Sequence, residues 1–309
     1  MKSSDSNVLV SVVIPTFNRA SRIIKTIESV LSQTYDNLEI IIIDDDSKDN
    51  TYEVIQPYLS EDIRYYKNEI NVGGAKSRNI GVTHCRGDLV AFLDSDDEWL
   101  PEKIELQINK FNTNNNIDMV YTKYYLVNEN SNKKFIFKEN EELDNELLSI
   151  LCKNFIGTTS TICIKKDVFN KIKGFDEQLP SCQDWDLYIR VLSNGYNIAR
   201  VDTPCLNYYY HNNSITGNIS NVIKGHEMVL EKIKKLIKNK NIDNRSYKII
   251  KSSNYERLAH IYMKNKKIRE GRKYFIKAIN SNCKNVKAIN HLILSLASES
   301  IYYKLKKTY

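Results

Sequence analysis

The chain has 309 residues, 41% of them apolar and 27% charged, which allows a sizeable core, one large domain and an appendage. Its net charge of +7 is unevenly distributed. Residues 222–309 carry 22 Lys and Arg against 6 Asp and Glu (net +16), leaving 23 against 32 (net −9) for residues 1–221. An acidic body argues against a nucleic-acid groove across the main domain and suits a metal site, whereas a basic tail could meet nucleic acid, anionic lipid or a phosphorylated substrate. Six cysteines (Cys85, Cys152, Cys163, Cys182, Cys205, Cys283) lack metal-ligand spacing and read as the reduced thiols of a cytosolic chain. The segment MKSSDSN does not resemble a signal peptide, and no apolar run reaches bilayer length, so any membrane contact is expected at the surface.

Leu9–Pro15 is a continuous apolar run capped by proline, the pattern of a strand buried on both faces of a parallel sheet. Ile23, Ile24, Ile27, Val30 and Leu31 then form a helical stripe facing that sheet. Leu38–Ile43 predicts a second buried strand ending in Asp44, Asp45, Asp46 and Ser47, followed by a helix from Asn50 and Thr51 to about Leu59. Ile63–Tyr66 predicts a third strand, Gly73–Cys85 a helix and Leu89–Leu93 a fourth strand. This β-α-β-α-β-α-β alternation predicts a doubly wound, mostly parallel α/β sheet.

The fourth strand ends in Asp94, Ser95, Asp96, Asp97 and Glu98: four carboxylates in five residues. Such a cluster needs cations to offset its repulsion, and hard Mg²⁺ or Mn²⁺ prefers oxygen ligands. An isolated acidic turn could simply be solvated. Ligands of open parallel sheets, however, bind beyond the carboxyl ends of the strands, and three of those ends carry Pro15–Arg19, Asp44–Asp46 and Asp94–Asp97. The three loops are expected to share one crevice.

After Pro101 a helix runs to about Phe111, and strand-like segments follow at Asp118–Val127, Lys134–Phe137 and Gly157–Ile164, with a helix at Lys166–Lys171. In the next predicted helix Trp185, Tyr188, Ile189 and Leu192 share a face, placing Asp184 at its N-terminus, where free amides favour a carboxylate. From about Ile219 the chain reads as helix, with Tyr255, Leu258, Ala259, Tyr262, Gly271, Phe275 and Ala278 spaced like one tetratricopeptide-type pair. Ile301–Tyr309 mixes aromatics with lysines, as at a membrane surface.

Five motifs, SVVIPTFNR (Ser11–Arg19), IIIDDDSKDNT (Ile41–Thr51), NVGGAKSRNIG (Asn71–Gly81), GDLVAFLDSDDEWLP (Gly87–Pro101) and GFDEQLPSCQDWDLYIR (Gly174–Arg190), give the first 215 or so residues their identity. In this order they resemble the GT-A glycosyltransferases of the large inverting family 2. The resemblance implies a catalytic domain over 1–218, with a nucleotide-binding half at 1–101 and an acceptor half at 102–218, followed by a basic helical region over 219–309.

It also implies transfer of a hexosyl or N-acetylhexosaminyl group from a UDP-sugar donor to an acceptor hydroxyl, with inversion. Pro15, Thr16, Asn18, Arg19, Asp45, Asn71, Arg78, Asp94 and Ser95 correspond to the nucleotide-sugar pocket, with Asp45 accepting from a pyrimidine N–H. Asp96, Asp97 and His211 correspond to the Mn²⁺ or Mg²⁺ site, which would stabilise the departing diphosphate. Asp184 corresponds to the general base, with Asp186 as the neighbour most easily mistaken for it. Relatives commonly have glycine where Asp46 stands and Glu where Gln183 stands.

The expected acceptor is a bacterial surface glycan, a lipid-linked glycan or a polyol-phosphate wall polymer. The expected location is the cytoplasm, with peripheral contact to anionic membrane through the basic region, no nucleic acid, and oligomers allowed. The alternatives are a non-catalytic nucleotide-sugar-binding scaffold and a DxD phosphatase. Against the latter, the first strand ends in Pro15 and Thr16 where such a phosphatase carries its nucleophilic aspartate. No GxxxxGK[ST] spacing supports a P-loop.

Overall fold

The computed structural model describes residues 8–129, 133–137, 145–210 and 219–297. Two compact units divide the chain. One is built from Met1–Asn140, Ile156–Gln178 and Gln183–Ser214, the other from Glu141–Phe155, Leu179–Cys182 and Ile215–Tyr309.

In the first unit, β1 (Val10–Thr16), α1 (Ile23–Leu31), β2 (Leu38–Asp44), α2 (Thr51–Ile55), β3 (Ile63–Lys67), α3 (Gly74–Thr83) and β4 (Leu89–Phe92) follow one another as the alternation predicts. The four strands are parallel, in the order β3-β2-β1-β4. The chain steps from β1 to β2 and β3 on one side and then returns to place β4 on the other. The switch point therefore lies between the carboxyl ends of β1 and β4, where Thr16 and Asp94 stand. All seven residues of β1 are buried, as its unbroken apolar pattern requires.

One acid sits inside this apolar layer. Glu39 on β2 is fully buried and accepts from Ser11 Oγ at 2.5 Å, Arg64 Nη2 at 2.6 Å and Arg86 Nε at 2.7 Å. Although burial opposes ionisation, these donors hold its pKa down at about 2.

The remaining elements of this unit are β5 (Glu98–Trp99), α4 (Lys103–Thr113), β6 (Ile117–Asn128), β7 (Lys134–Ile136), β8 (Ile162–Lys165), α6 (Lys166–Lys171), α7 (Gln183–Ser193) and β9 (Asn197–Tyr210). Here the sheet becomes mixed. β8 is antiparallel to both β4 and β6, β9 is parallel to β6, and β5 is antiparallel to β9. Sequence patterning does not reveal β5 or the 14-residue β9. A two-residue strand has no period, and β9 carries polar Asn197, Arg200, Asp202 and Asn207 along a run that includes Pro204.

Buried polar side chains on α1 fasten the acidic loop to the sheet. Thr26 Oγ1 donates to Asp97 O at 2.9 Å, Trp99 N donates to Ser29 Oγ at 3.2 Å, and Gln33 bonds Leu100 O and Ile104 N. Lys103 is also buried; its ammonium donates to Gln107 at 2.8 Å and lies 3.9 Å from the Trp99 ring centre.

The second unit contains α5 (Glu146–Cys152), α8 (Ile219–Asn239), α9 (Asn244–Lys264), α10 (Ile268–Ser281) and α11 (Val286–Ala297). Asp243 caps α9 by accepting from Arg245 N and Ser246 N, and Asn254 on α9 donates to Leu151 O of α5 at 2.8 Å. Ala259, Met263, Phe275, Ala278 and Ala288 form its small core. Gly271 permits that contact, since a Cβ there would lie 2.5 Å from Met263 Sδ. No described helix is long and apolar enough to cross a membrane. His211 and the segment Ile301–Tyr309 lie outside the described residues.

Candidate active site

The β1 and β2 loops are zipped together. Asp45 N donates to Thr16 O at 2.8 Å, Asn18 N to Ser47 Oγ at 2.9 Å, Lys48 N to Asn18 Oδ1 at 2.8 Å and Arg19 N to Thr51 Oγ1 at 3.0 Å. Asp46 takes a left-handed backbone at φ 68°, a conformation open to glycine and tolerated by aspartate. That geometry explains why glycine serves at this place and why Asp46 can replace it. Pro15 and Thr16 are buried at the loop floor, and Thr16 Oγ1 has no hydrogen-bond partner among the described residues. A buried hydroxyl left over in such a floor is a group a ligand can satisfy.

The two leading aspartates differ. Asp44 is fully buried and spends both oxygens on the fold, accepting from Ser47 N at 2.7 Å and Tyr65 Oη at 2.6 Å. Asp45 Oδ1 accepts from Asn68 Nδ2 and Val72 N, and its Oδ2 accepts from Gly73 N at 2.7 Å. Asn71 Nδ2 donates to Asp45 O at 3.1 Å. A carboxylate accepts about four hydrogen bonds, so Asp45 both shapes the Asn71–Gly73 turn and retains a lone pair.

At the end of β4 the acids have distinct surroundings. Asp94 pairs with Arg78 of α3, and Thr159 Oγ1 approaches both its oxygens at 3.3 and 3.4 Å. Arg78 lies 5.6 Å from the Phe175 ring centre, so the GFDE motif supports the arginine from beneath. Gly174 makes this possible: its φ is +59°, and a Cβ would fall 2.5 Å from Asn79 Oδ1, which receives Phe175 N. Ser95 is buried in the loop. Asp96 is 21% exposed and paired with Arg19 Nη2 at 3.3 Å, while Arg22 forms a bidentate pair with Glu129 beside it.

Asp97, expected beside Asp96 at the metal, is placed differently. It is fully buried; its Oδ2 takes Ser160 Oγ at 2.7 Å, and its Oδ1 has no partner among the described residues. Burial, together with the charges of Asp94 and Asp96, pushes its pKa well above the usual carboxylate range. The enclosed carboxyl, bonded to Ser160, braces the loop.

Asp184 lies half-buried at the start of α7, where its Oδ1 accepts from Trp185 N at 2.8 Å. Burial raises its pKa to about 6, with the Asp94 charge acting in the same sense and Arg78 opposing it. Asp186 is instead committed to Arg190 at 2.7 Å, and Trp185 and Tyr188 are core residues. That division leaves Asp184 as the acid of α7 whose electrostatic neighbours include both Arg78 and Asp94.

The donor set suits a divalent cation carried in with a diphosphate. Asp94 and Asp96 offer partly exposed carboxylates, and Mg²⁺ is commonly held by one or two carboxylates plus substrate phosphates. No group of three metal-ligating side chains is preformed among the described residues.

Thr159, Ser160 and Arg22 belong to this site although motif spacing does not single them out, and Phe175 joins them from the GFDE motif. Ser160 ties it together: its Oγ donates to Asp97 and accepts from Asp94 N at 3.0 Å, and its carbonyl accepts from Trp99 Nε1 at 2.9 Å. The run of hydroxyls in Thr158–Thr161 was the available signal. A cavity of about 560 Å³ lined by Leu89, Ile108, Phe111 and Ile117 lies at the opposite, amino ends of β1 and β4. It is remote from the acidic loops.

These features define a nucleotide-sugar transferase of the GT-A architecture, and a profile of glycosyl transferase family 2 matches residues 11–173. The chain belongs to glycosyltransferase family 2. It is 32% identical over 246 residues to an uncharacterized glycosyltransferase of Haemophilus influenzae, covering 77% of this chain and 82% of that one. It is also 32% identical over 212 residues to Escherichia coli WfgD, named as a UDP-Glc:alpha-D-GlcNAc-diphosphoundecaprenol beta-1,3-glucosyltransferase, covering 68% and 80%. Among solved structures, residues 1–349 of S. aureus TarS in complex with UDP-GlcNAc share the fold, with a TM-score of 0.68 at 19% identity over 97% of this chain and 91% of that one. Family membership establishes a glycosyltransferase and sets aside the phosphatase and scaffold alternatives.

Proposed function

We propose that this glycosyltransferase moves a hexosyl or N-acetylhexosaminyl group from a UDP-sugar to an acceptor hydroxyl with inversion, using Asp184 as general base. The observation that supports this reading is the grouping of Arg78, Asp94 and Asp184: Arg78 bonds Asp94, and both act electrostatically on Asp184, whose pKa burial raises to about 6. Such a base is half ionised at about pH 6 and mostly ionised at neutrality, and can accept the acceptor proton as its oxygen attacks opposite the leaving diphosphate.

The β1 and β2 loops, with Pro15, Thr16, Asn18, Arg19, Asp45 and Asn71, would hold the uridine. Asp94, Ser95 and Arg78 would hold the ribose and diphosphate. Mn²⁺ or Mg²⁺ held through Asp96, with Asp94 nearby, would supply Lewis-acid stabilisation of the leaving group. Arg19 and Arg22 add positive charge beside it, so the chain itself shares in that stabilisation.

The E. coli relative's named acceptor, and the UDP-GlcNAc in the TarS structure, support a UDP-sugar donor and a lipid-linked or surface-glycan acceptor. With a lipid-linked acceptor the enzyme would work at the cytoplasmic surface of a membrane, and the net +16 of residues 222–309 suits an anionic surface. The division into a catalytic domain over 1–218 and a basic helical region over 219–309 belongs to the same proposal.

The deciding experiment incubates the protein with UDP-glucose, UDP-GlcNAc, UDP-galactose and GDP-mannose, with and without Mn²⁺, and measures nucleotide release. Metal-stimulated UDP release from one donor is expected. Release from the GDP-sugar alone would reject the uridine assignment, and metal-independent release would reject the cation.

A further inference from the structure

Asp96 stands at one end of a group of four charges, all within the first unit. Its Oδ2 accepts from Arg19 Nη2 at 3.3 Å. Arg22 donates through both Nη atoms to the two carboxylate oxygens of Glu129, the Nη2 to Oε2 contact being 2.8 Å. The Arg22 pKa is raised first by that bond to Glu129 and further by the charges of Glu129 and Asp96, so Asp96 lies within electrostatic reach of both arginines. A tight turn at the entry to α1 holds the two arginines together, with Arg22 N donating to Arg19 O at 2.9 Å. Glu129 arrives from elsewhere in the chain, directly after β6, whose last residue Asn128 lies opposite Tyr210 of β9.

The charges of Arg19, Arg22, Asp96 and Glu129 sum to zero. Without Glu129 the same place carries a net positive charge, with two guanidiniums beside one carboxylate. A bidentate guanidinium–carboxylate pair also fixes the direction of the arginine, so Glu129 both tempers the Arg22 charge and holds it in place. A divalent cation and an arginine meet the same need in glycosyl transfer, which is positive charge on the departing diphosphate. They compete for the same carboxylate, because lone pairs of Asp96 that accept from a guanidinium are lost to a metal.

We propose that Glu129 sets how far this enzyme depends on a metal ion: by holding the Arg22 guanidinium it leaves Asp96 to a divalent cation, and in its absence Arg22 takes the cation's place as counter-charge to the diphosphate. The inference rests on Asp96 as the cation ligand. Glu129 is in this role a positioning residue, acting through Arg22 without touching nucleotide or cation. It belongs to none of the five sequence motifs, so its part in the site comes from the pairing alone.

Calorimetric titration of UDP into the full chain, once with EDTA and once with saturating Mn²⁺, reads two affinities whose ratio is the metal effect. For Glu129→Gln, affinity without metal should rise about fivefold while affinity with Mn²⁺ stays within about twofold, so the metal effect shrinks. Arg22→Gln should act in the opposite sense, lowering the metal-free affinity about fivefold and enlarging the metal effect. The double variant Glu129→Gln with Arg22→Gln, which removes the pair as a unit, should return both affinities to within about twofold of wild type.

A double variant that keeps the shift of Glu129→Gln would overturn the proposal, since Glu129 would then act without Arg22. If Glu129→Gln does not fold, Arg22→Gln carries the test, and an unchanged metal-free affinity there overturns it equally. A wild type whose UDP affinity does not respond to Mn²⁺ rejects the cation at Asp96 and this proposal with it. A wild-type response that persists unchanged in Glu129→Gln rejects this proposal alone.

Discussion

The Arg78 guanidinium donates to the Asp94 carboxylate, joining the first half of α3 to the carboxyl end of β4. The pair is held from two further sides, by Thr159 on Asp94 and by the Phe175 ring against Arg78. Arg78→Gln breaks the pair and removes a positive charge that lowers the Asp184 pKa. The expected outcome is a donor KM raised about tenfold, as for loss of one charge-assisted hydrogen bond, and an acid limb of the rate profile displaced to higher pH. Steady-state kinetics between pH 5 and pH 9 check both.

Asp184 must be ionised to accept a proton. Its pKa of about 6 predicts that kcat/KM falls tenfold per pH unit well below that value and levels off above it. Asp184→Asn should lower kcat on the order of 1,000-fold while calorimetric UDP affinity stays within about twofold. The fold responds in the opposite sense. Because the folded pKa lies above the ordinary 3.8, ionising Asp184 opposes folding, and its contribution declines as pH rises from about 4 through about 6. Asp184→Asn should therefore gain about 1–2 kcal/mol of stability at pH 8, measured by urea unfolding.

Asp96 is partly exposed whereas Asp97 is enclosed. Asp96→Ala should abolish the Mn²⁺-dependent part of UDP affinity, an expected loss of about tenfold or more, and leave metal-free UDP binding unchanged. Asp97→Asn should keep the metal effect and act on stability alone. Calorimetric titrations with and without Mn²⁺ separate the two residues.

Lys103 is buried against Trp99 and Gln107, and burial pushes its pKa down to about 7. Between about pH 7 and 10.5 the unfolded chain binds the proton that the folded chain has released, so this lysine makes stability rise with pH across that window. From pH 7 to pH 9 the wild type should gain about 2 kcal/mol relative to Lys103→Met. Paired unfolding curves at the two pH values read the difference, and parallel pH dependence would show that Lys103 keeps its proton in the folded state.

Much of this protein was determined locally. Unbroken apolar runs at β1, β2 and β4, the helical stripe of α1 and the acids that end the strands carry their meaning within a few residues, so the parallel half-sheet and its crevice are legible in the chain itself. The order of the five motifs likewise marks the family. Tertiary structure decided what each acid does. Asp94, Asp96 and Asp97 are adjacent in sequence, yet one is paired with Arg78, one opens to the crevice with Arg19, and one is enclosed against Ser160, a residue 63 positions away. The same applies to Asp44 against Asp45 and to Asp186 against Asp184. Ionisation and ligand access depend on burial and on partners brought together by the fold, and β9 and the hydroxyl brace at Thr159–Ser160 arise only when distant segments meet.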